Sequence, residues 1–152
     1  MTPNERAFLD MIAVSEIGPA LLAKSDNGYN VLVGATPEKP LLFGDYSKHP
    51  GILNKALNST AAGRYQLLFR YWKHYSKLLG RPDFTPETQD LIALQQIREF
   101  KGLKLVQDGR FPEAVHQVRK LWASLPGAGY GQHENSYDKL LAAYIKAGGE
   151  LA

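Results

Sequence analysis

The chain has 152 residues, 44% of them hydrophobic and 22% charged, with a net charge of +3 and no cysteine. That size and balance suit one folded domain with a real core and argue against wholesale disorder. Without a thiol, disulfides and thiolate-held metals are excluded; no apolar run approaches the ~20 residues that span a bilayer, and no secretory signal is evident.

The first predicted element is a helix. Thr2-Pro3-Asn4-Glu5 reads as a capping box, with Thr2 as the cap, Pro3 at the first helical position and Glu5 reaching back. Phe8, Ile12 and Glu16 recur every fourth residue and share one face, which ends in a carboxylate. The helix dipole and apolar neighbours both disfavour the ionised form there, so Glu16 is a candidate general acid. Taken alone, the stretch also fits an ordinary polar residue at a helix end, the commoner fate of a charged side chain.

Gly18-Pro19 breaks this pattern, and Ala20–Lys24 suits a short helical turn. Ser25-Asp26-Asn27-Gly28 is a turn, and Tyr29–Val33 reads as a strand with Leu41–Phe43 as its returning partner. The longest predicted helix opens at Ser59 or Thr60, carries Tyr65, Leu68, Phe69, Trp72, Tyr75 and Leu79 on its apolar face, and stops at Gly80. Further helices are predicted from Thr85-Pro86-Glu87, with Leu91, Leu94 and Ile97 on the apolar face and Gly102 after the end. Another runs from Phe111-Pro112-Glu113 through Val115, Val118, Trp122 and Leu125. The last carries Tyr137, Leu140, Leu141, Tyr144 and Ile145 before Gly148-Gly149. The fold class is α+β: mostly helical, with one small antiparallel sheet near the N-terminal third, in a single domain spanning 1–152.

Several chemistries lack their residues. The loop Gly127–Gly131 follows a predicted helix rather than a strand and precedes no Lys-Ser/Thr, so it is no phosphate loop; it presents Tyr130 on bare backbone. His49, His74, His116 and His133 stand singly, without a metal-ligand spacing, and neither metal nor cofactor is expected. No Gly-x-Ser-x-Gly elbow is present. The eighteen Lys and Arg are dispersed, so the footprint for a polyanion such as nucleic acid is weak.

Three stretches are more specific together: Ala7–Met11 through Ser15-Glu16, Ser59-Thr60-Ala61-Ala62-Gly63-Arg64-Tyr65-Gln66, and Trp122-Ala123-Ser124-Leu125-Pro126-Gly127-Ala128-Gly129-Tyr130-Gly131-Gln132. With Gly28-Tyr29, Asp45-Tyr46-Ser47, His49-Pro50 and Leu94-Gln95-Gln96-Ile97 in the same order, the chain resembles the lambda-type phage lysozymes, a family of peptidoglycan lytic transglycosylases. The resemblance covers nearly the whole chain. It implies a lysozyme-like fold and cleavage of the β-1,4 bond between N-acetylmuramic acid and N-acetylglucosamine, leaving a 1,6-anhydro end and lysing the host. It places the catalytic glutamate on Glu16, and Gln66, Tyr130, Tyr29, Ser59 and Gln95 as substrate-binding candidates. The partner is then the peptidoglycan glycan strand, reached from the host cytoplasm after release by a separate holin-type protein. From the residues themselves, without a spanning apolar run, a nucleic-acid motif or a heptad seam, no membrane insertion, no nucleic acid and a monomer are expected. Ile17 after the glutamate, Asn30 after Tyr29, and the proline-bearing segment Ala35–Leu42 depart from the family's pattern at a lip of the expected cleft. A hydrolytic muramidase would need a second acid, for which Asp26 and then Asp45 stand nearest. A non-catalytic wall-binding module would stack sugars on Tyr29 and Tyr130.

Overall fold

The computed structural model describes all 152 residues. Seven helices appear in chain order: α1 (Pro3–Glu16), α2 (Pro19–Ala23), α3 (Phe69–Leu79), α4 (Pro86–Glu99), α5 (Leu103–Gln107), α6 (Phe111–Val118) and α7 (Tyr137–Lys146). They fall into two compact units, one of Met1–Glu16 with Ala93–Ala152 and the other of Ile17–Ile92. No helix is long and apolar enough to cross a membrane.

The first unit is built on α1. Its capping box closes as the sequence requires: Thr2 N–H donates to Glu5 Oε1 at 2.7 Å and Glu5 N–H to Thr2 Oγ1 at 3.1 Å, which satisfies amides the helix cannot pair itself. Phe8, Leu9, Met11 and Ile12 are fully buried, packing α1 against α7 and α5. Phe111 centres this core, edge-on to Phe8 at 5.9 Å and tilted over Tyr144 at 4.5 Å. Burying each such ring contributes roughly 1.5–3 kcal/mol, with favourable ring geometry in addition.

The second unit gathers Ala62, Leu67, Tyr75, Phe84 and Ile92 into one cluster, with Leu32, Phe43, Trp72 and Leu79 packed on it. Here the backbone departs from two expectations. The anticipated small sheet is not formed as a ladder; the extended residues make four isolated antiparallel bridges, Val31 with Leu42, Leu32 with Ala62, Asn54 with Ser59 and Ala62 with Leu67. Turns at Gly28, Gly34 and Gly51, all at positive φ, interrupt the chain before any pairing can extend.

The helix expected from Ser59 begins ten residues later, at Phe69, and α1 and α4 are longer than it. Residues 62–67 instead form a turn closed by Ala62 N–H to Leu67 O at 3.1 Å and Leu67 N–H to Ala62 O at 2.9 Å. Gly63 lies at φ 85° and Gln66 at φ 52°, both left-handed and incompatible with continuing a helix. Thr60 still serves the helix from a distance, its Oγ1 accepting from Phe69 N–H at 3.0 Å. The far end matches expectation, with Gly80 at φ 64° and Arg81 N–H returning to Ser76 O at 2.9 Å.

On α4 the buried apolar residues are Ile92, Ala93 and Ile97, whereas Leu91 is exposed. α6 stops at Val118, so Trp122 and Leu125 are buried from turns rather than from the helix.

The turn at Gly63 has a decisive substitution. In a helix Gly→Ala would stabilise by about 1 kcal/mol. At φ 85°, where an added Cβ would collide with Gln89 Oε1, Gly63→Ala is expected to destabilise by about 2 kcal/mol or more. Urea unfolding reads the sign, and a stabilised variant would restore the helix reading.

Candidate active site

Glu16 is the last residue of α1, so the capping box and apolar face that position the helix also position its carboxyl. The residue is half-buried and its Oε2 accepts from Ser124 Oγ–H at 2.8 Å. Burial pushes the carboxyl up from 4.5 to about 7, with the Ser124 hydroxyl drawing it partly back down. A carboxyl that is protonated over much of the range below pH 7 can act as an acid there and, having given its proton, as a base.

Ser124 does not stand alone. Its Oγ lies 2.7 Å from Ser15 Oγ, and the Asn135 amide donates to Ser15 Oγ at 3.0 Å and to Ser15 O at 3.1 Å. Asn135 N–H also donates to Ser124 O at 2.7 Å. Three small polar residues, at positions 15, 124 and 135, thus form one hydrogen-bonded chain that reaches the carboxyl through Ser124. Sequence reasoning missed Ser15, Ser124 and Asn135 as site residues, although Ser15 and Ser124 lie inside the family-like stretches. The only local signal was a Ser beside the glutamate, on a helix whose neighbouring positions are apolar.

The other candidates are dispersed. Tyr130 is exposed on the glycine loop of the same unit, its hydroxyl donating to Lys120 O at 2.7 Å and its ring lying 5.2 Å from Lys120 Nζ. Gln95 on α4 donates to Glu99 Oε2 at 3.0 Å. Tyr29, Ser59 and Gln66 belong to the second unit. Tyr29 donates to Asp90 Oδ1 at 2.9 Å beside the Arg64 guanidinium. Gln66 spends its amide nitrogen on Gly63 O at 2.8 Å and Val31 O at 3.3 Å, holding the turn just described. Ser59 Oγ accepts from Ala61 N–H at 3.1 Å.

Asp26 and Asp45, the acids a hydrolase would need, are both exposed. Asp26 accepts from Tyr46 O–H at 2.6 Å. Asp45 accepts from Ser47 N–H at 2.9 Å, and that bond lowers its carboxyl below the ordinary value. Asp45 is therefore not tuned to carry a proton near neutrality.

His49 is buried among Phe69, Trp72 and Phe84. Its Nε2 lies 2.8 Å from Leu67 O and its Nδ1 accepts from Gly51 N–H at 3.0 Å. Both nitrogens are therefore committed to backbone, and burial lowers its pKa. No group of His, Asp and Glu side chains is arranged to hold a metal ion.

The Glu16 carboxyl carries a stability signature. The folded state retains its proton to about pH 7, whereas 4.5 is the ordinary value at which an unfolded chain releases it. Its contribution is therefore complete below pH 4.5 and lost as pH rises through 7. Glu16→Gln has no proton to lose, and is expected to exceed the parent at pH 8 by about 2–3 kcal/mol while matching it near pH 4. Parallel pH profiles in urea unfolding would show that the folded carboxyl is not held protonated.

Comparison with known proteins places this geometry in context. A family model described as Endolysin matches residues 6–151. The endolysin of Escherichia phage P2 is 47% identical over 154 residues, covering 96% of this chain and 93% of its own length. The endolysin of Escherichia phage lambda is 49% identical, with 97% and 93% covered. Among solved structures, bacteriophage lambda lysozyme complexed with a chitohexasaccharide superposes with a TM-score of 0.91 at 45% identity, covering 100% of this chain and 98% of that one. A second structure of that lysozyme gives 0.86 at 44% identity.

Proposed function

This chain belongs to the endolysin family, and from that membership and the Glu16 carboxyl we propose that it is a peptidoglycan lytic transglycosylase. The observation that carries the reading is a single carboxyl, raised to about 7, whose hydrogen-bond partner is a hydroxyl rather than a second acid. The relative solved as bacteriophage lambda lysozyme, in one structure complexed with a chitohexasaccharide, supports a glycan strand as the substrate.

Glu16 in its protonated form gives its proton to the glycosidic oxygen as the bond to the muramic-acid anomeric carbon breaks and an oxocarbenium-like centre develops. The resulting carboxylate then takes the proton from that sugar's own 6-hydroxyl, whose oxygen closes on the anomeric carbon. The product is a 1,6-anhydro ring, and Glu16 is again protonated. No water is consumed. An intramolecular nucleophile has a high effective concentration, so the second carboxylate of a hydrolase is unnecessary.

On this reading residues 1–152 act together as one catalytic domain and work as a monomer. Tyr29, Ser59, Gln66, Gln95 and Tyr130 contribute to glycan binding. The enzyme is made in the host cytoplasm and reaches the wall when a separate holin-type protein releases it.

Mass spectrometry of the fragments freed from purified peptidoglycan tests the reaction. We expect muropeptides one water lighter than hydrolysis products and resistant to borohydride reduction, and Glu16→Gln should lower their release on the order of 10²–10⁴-fold. Reducing muramic-acid ends would instead make the protein a muramidase. Undiminished release by Glu16→Gln would remove Glu16 from the chemistry altogether.

A further inference from the structure

The hydrogen bonds behind Glu16 have a direction, and that direction is set far from the carboxyl. Lys139 Nζ on α7 donates to Asn135 Oδ1 at 2.9 Å. This fixes which end of the amide faces Ser15: an ammonium cannot donate to an NH2 group. The opposite end agrees, because the atom at 3.1 Å from the Ser15 carbonyl oxygen has to be a donor. With Asn135 Nδ2 also donating to Ser15 Oγ at 3.0 Å, the Ser15 hydroxyl hydrogen is free to point to Ser124 Oγ, 2.7 Å away. Ser124 then has its own hydrogen left for Glu16 Oε2 at 2.8 Å.

The reverse direction is poorer. If Oε2 held the acid proton and donated to Ser124, the Ser124 hydroxyl would turn to Ser15 Oγ. The Ser15 hydrogen would be left with Ser124 O at 3.4 Å, a length at which little hydrogen-bond energy remains.

We propose that Asn135, oriented by Lys139, is a positioning residue that polarises the Ser15–Ser124 pair so that Glu16 Oε2 is always an acceptor and the catalytic proton is carried on Oε1. The same oxygen would then give the proton to the leaving group and take it back from the 6-hydroxyl, while Oε2 stays anchored. This rests on Glu16 being the acid, as argued above. Other charged groups on the neighbouring elements are engaged elsewhere or exposed. Glu134 accepts from Gly127 and Gly129 N–H, both at 2.9 Å, Lys120 donates to Ala128 O, and Asp138 lies exposed in the first turn of α7.

The test is a 13C NMR titration of Glu16 in protein labelled at glutamate Cδ, its signal assigned by its disappearance in Glu16→Gln, run beside the pH dependence of fragment release. Ser124→Ala removes the anchor and should raise the Glu16 midpoint by about 1 pH unit. Asn135→Ala and Ser15→Ala release the direction of the chain, letting the neutral acid also place its proton on Oε2. Each should raise the midpoint by about half a pH unit and move the basic limb of kcat/KM with it. In both variants kcat should fall about tenfold with KM within twofold.

Ser15→Ala keeps the Asn135 bond to the Ser15 carbonyl, so it reports on the chain even if Asn135→Ala loosens the fold. In the Ser124→Ala background, Asn135→Ala should move the midpoint no further. A midpoint unmoved by Asn135→Ala and Ser15→Ala, or shifts that add to that of Ser124→Ala, would overturn the proposal. Fragment release by Glu16→Gln would overturn it at a different point, by removing the acid itself.

Discussion

A carboxyl withdrawn from water and met by one hydroxyl is the constraint around which the first unit is arranged. Desolvation disfavours the charged form, and the Ser124 bond returns only part of what burial takes away. An opposite charge at that distance would have pulled the carboxyl back toward its ordinary range. The neighbours are instead neutral and small: Ser15, Ser124 and Asn135 supply direction without charge. The positive charge of Lys139 is kept at the far end of this chain, on Asn135 Oδ1.

Holding a half-buried acid at a helix terminus requires that the helix itself not fray. α1 meets this at both ends. The capping box ties its start, and Phe8, Leu9, Met11 and Ile12 lock its middle against α7 and α5. Its last turn is tied by Asn135, which grips the Ser15 carbonyl, one of the C-terminal carbonyls a helix leaves unpaired. That one bond stabilises the helix end and aims the amide at the serine pair. The residue that caps the helix end is therefore also bonded to the Ser15 hydroxyl beside the Glu16–Ser124 pair.

The legible parts were those written in local pattern. Thr2, Pro3 and Glu5 marked the start of α1, and the fourfold recurrence through Phe8 and Ile12 set Glu16 at the end of its apolar face, while the choice of Glu16 as catalytic came from the family-like stretches. The Gly80 terminus followed from the same kind of signal. What stayed hidden depended on chain partners more than a hundred residues away. Ser124 and Asn135 are small polar residues whose meaning comes only from the fold that sets them beside Ser15 and Glu16. The misreading of 59–68 as helix has a different cause. Ala61, Ala62 and the aromatics after them have helical spacing, yet Gly63 and Gln66 are both left-handed, and one left-handed glutamine is not announced by composition. Bridges in place of a sheet reflect the same competition, since local turns consumed the residues that would have extended the pairing.

The glycine loop shows how one segment can answer to several demands. Its run of glycines resembles a cradle for a phosphate, but Gly127 and Gly129 turn their amides inward, where Glu134 accepts both. Those bonds hold the Glu134 carboxyl below its ordinary value, so it stays charged and closed on the loop across the range in which Glu16 changes its proton. Positive φ at Gly127, Gly129 and Gly131 permits so tight a path. The neighbouring bond from Asn135 N–H to Ser124 O then brings the two ends of the segment together. Closing this loop thus places Asn135 beside Ser124, with Tyr130 displayed at its exposed tip. A loop that reads as a flexible connector is, by its internal bonds, the frame that assembles the partners of the acid.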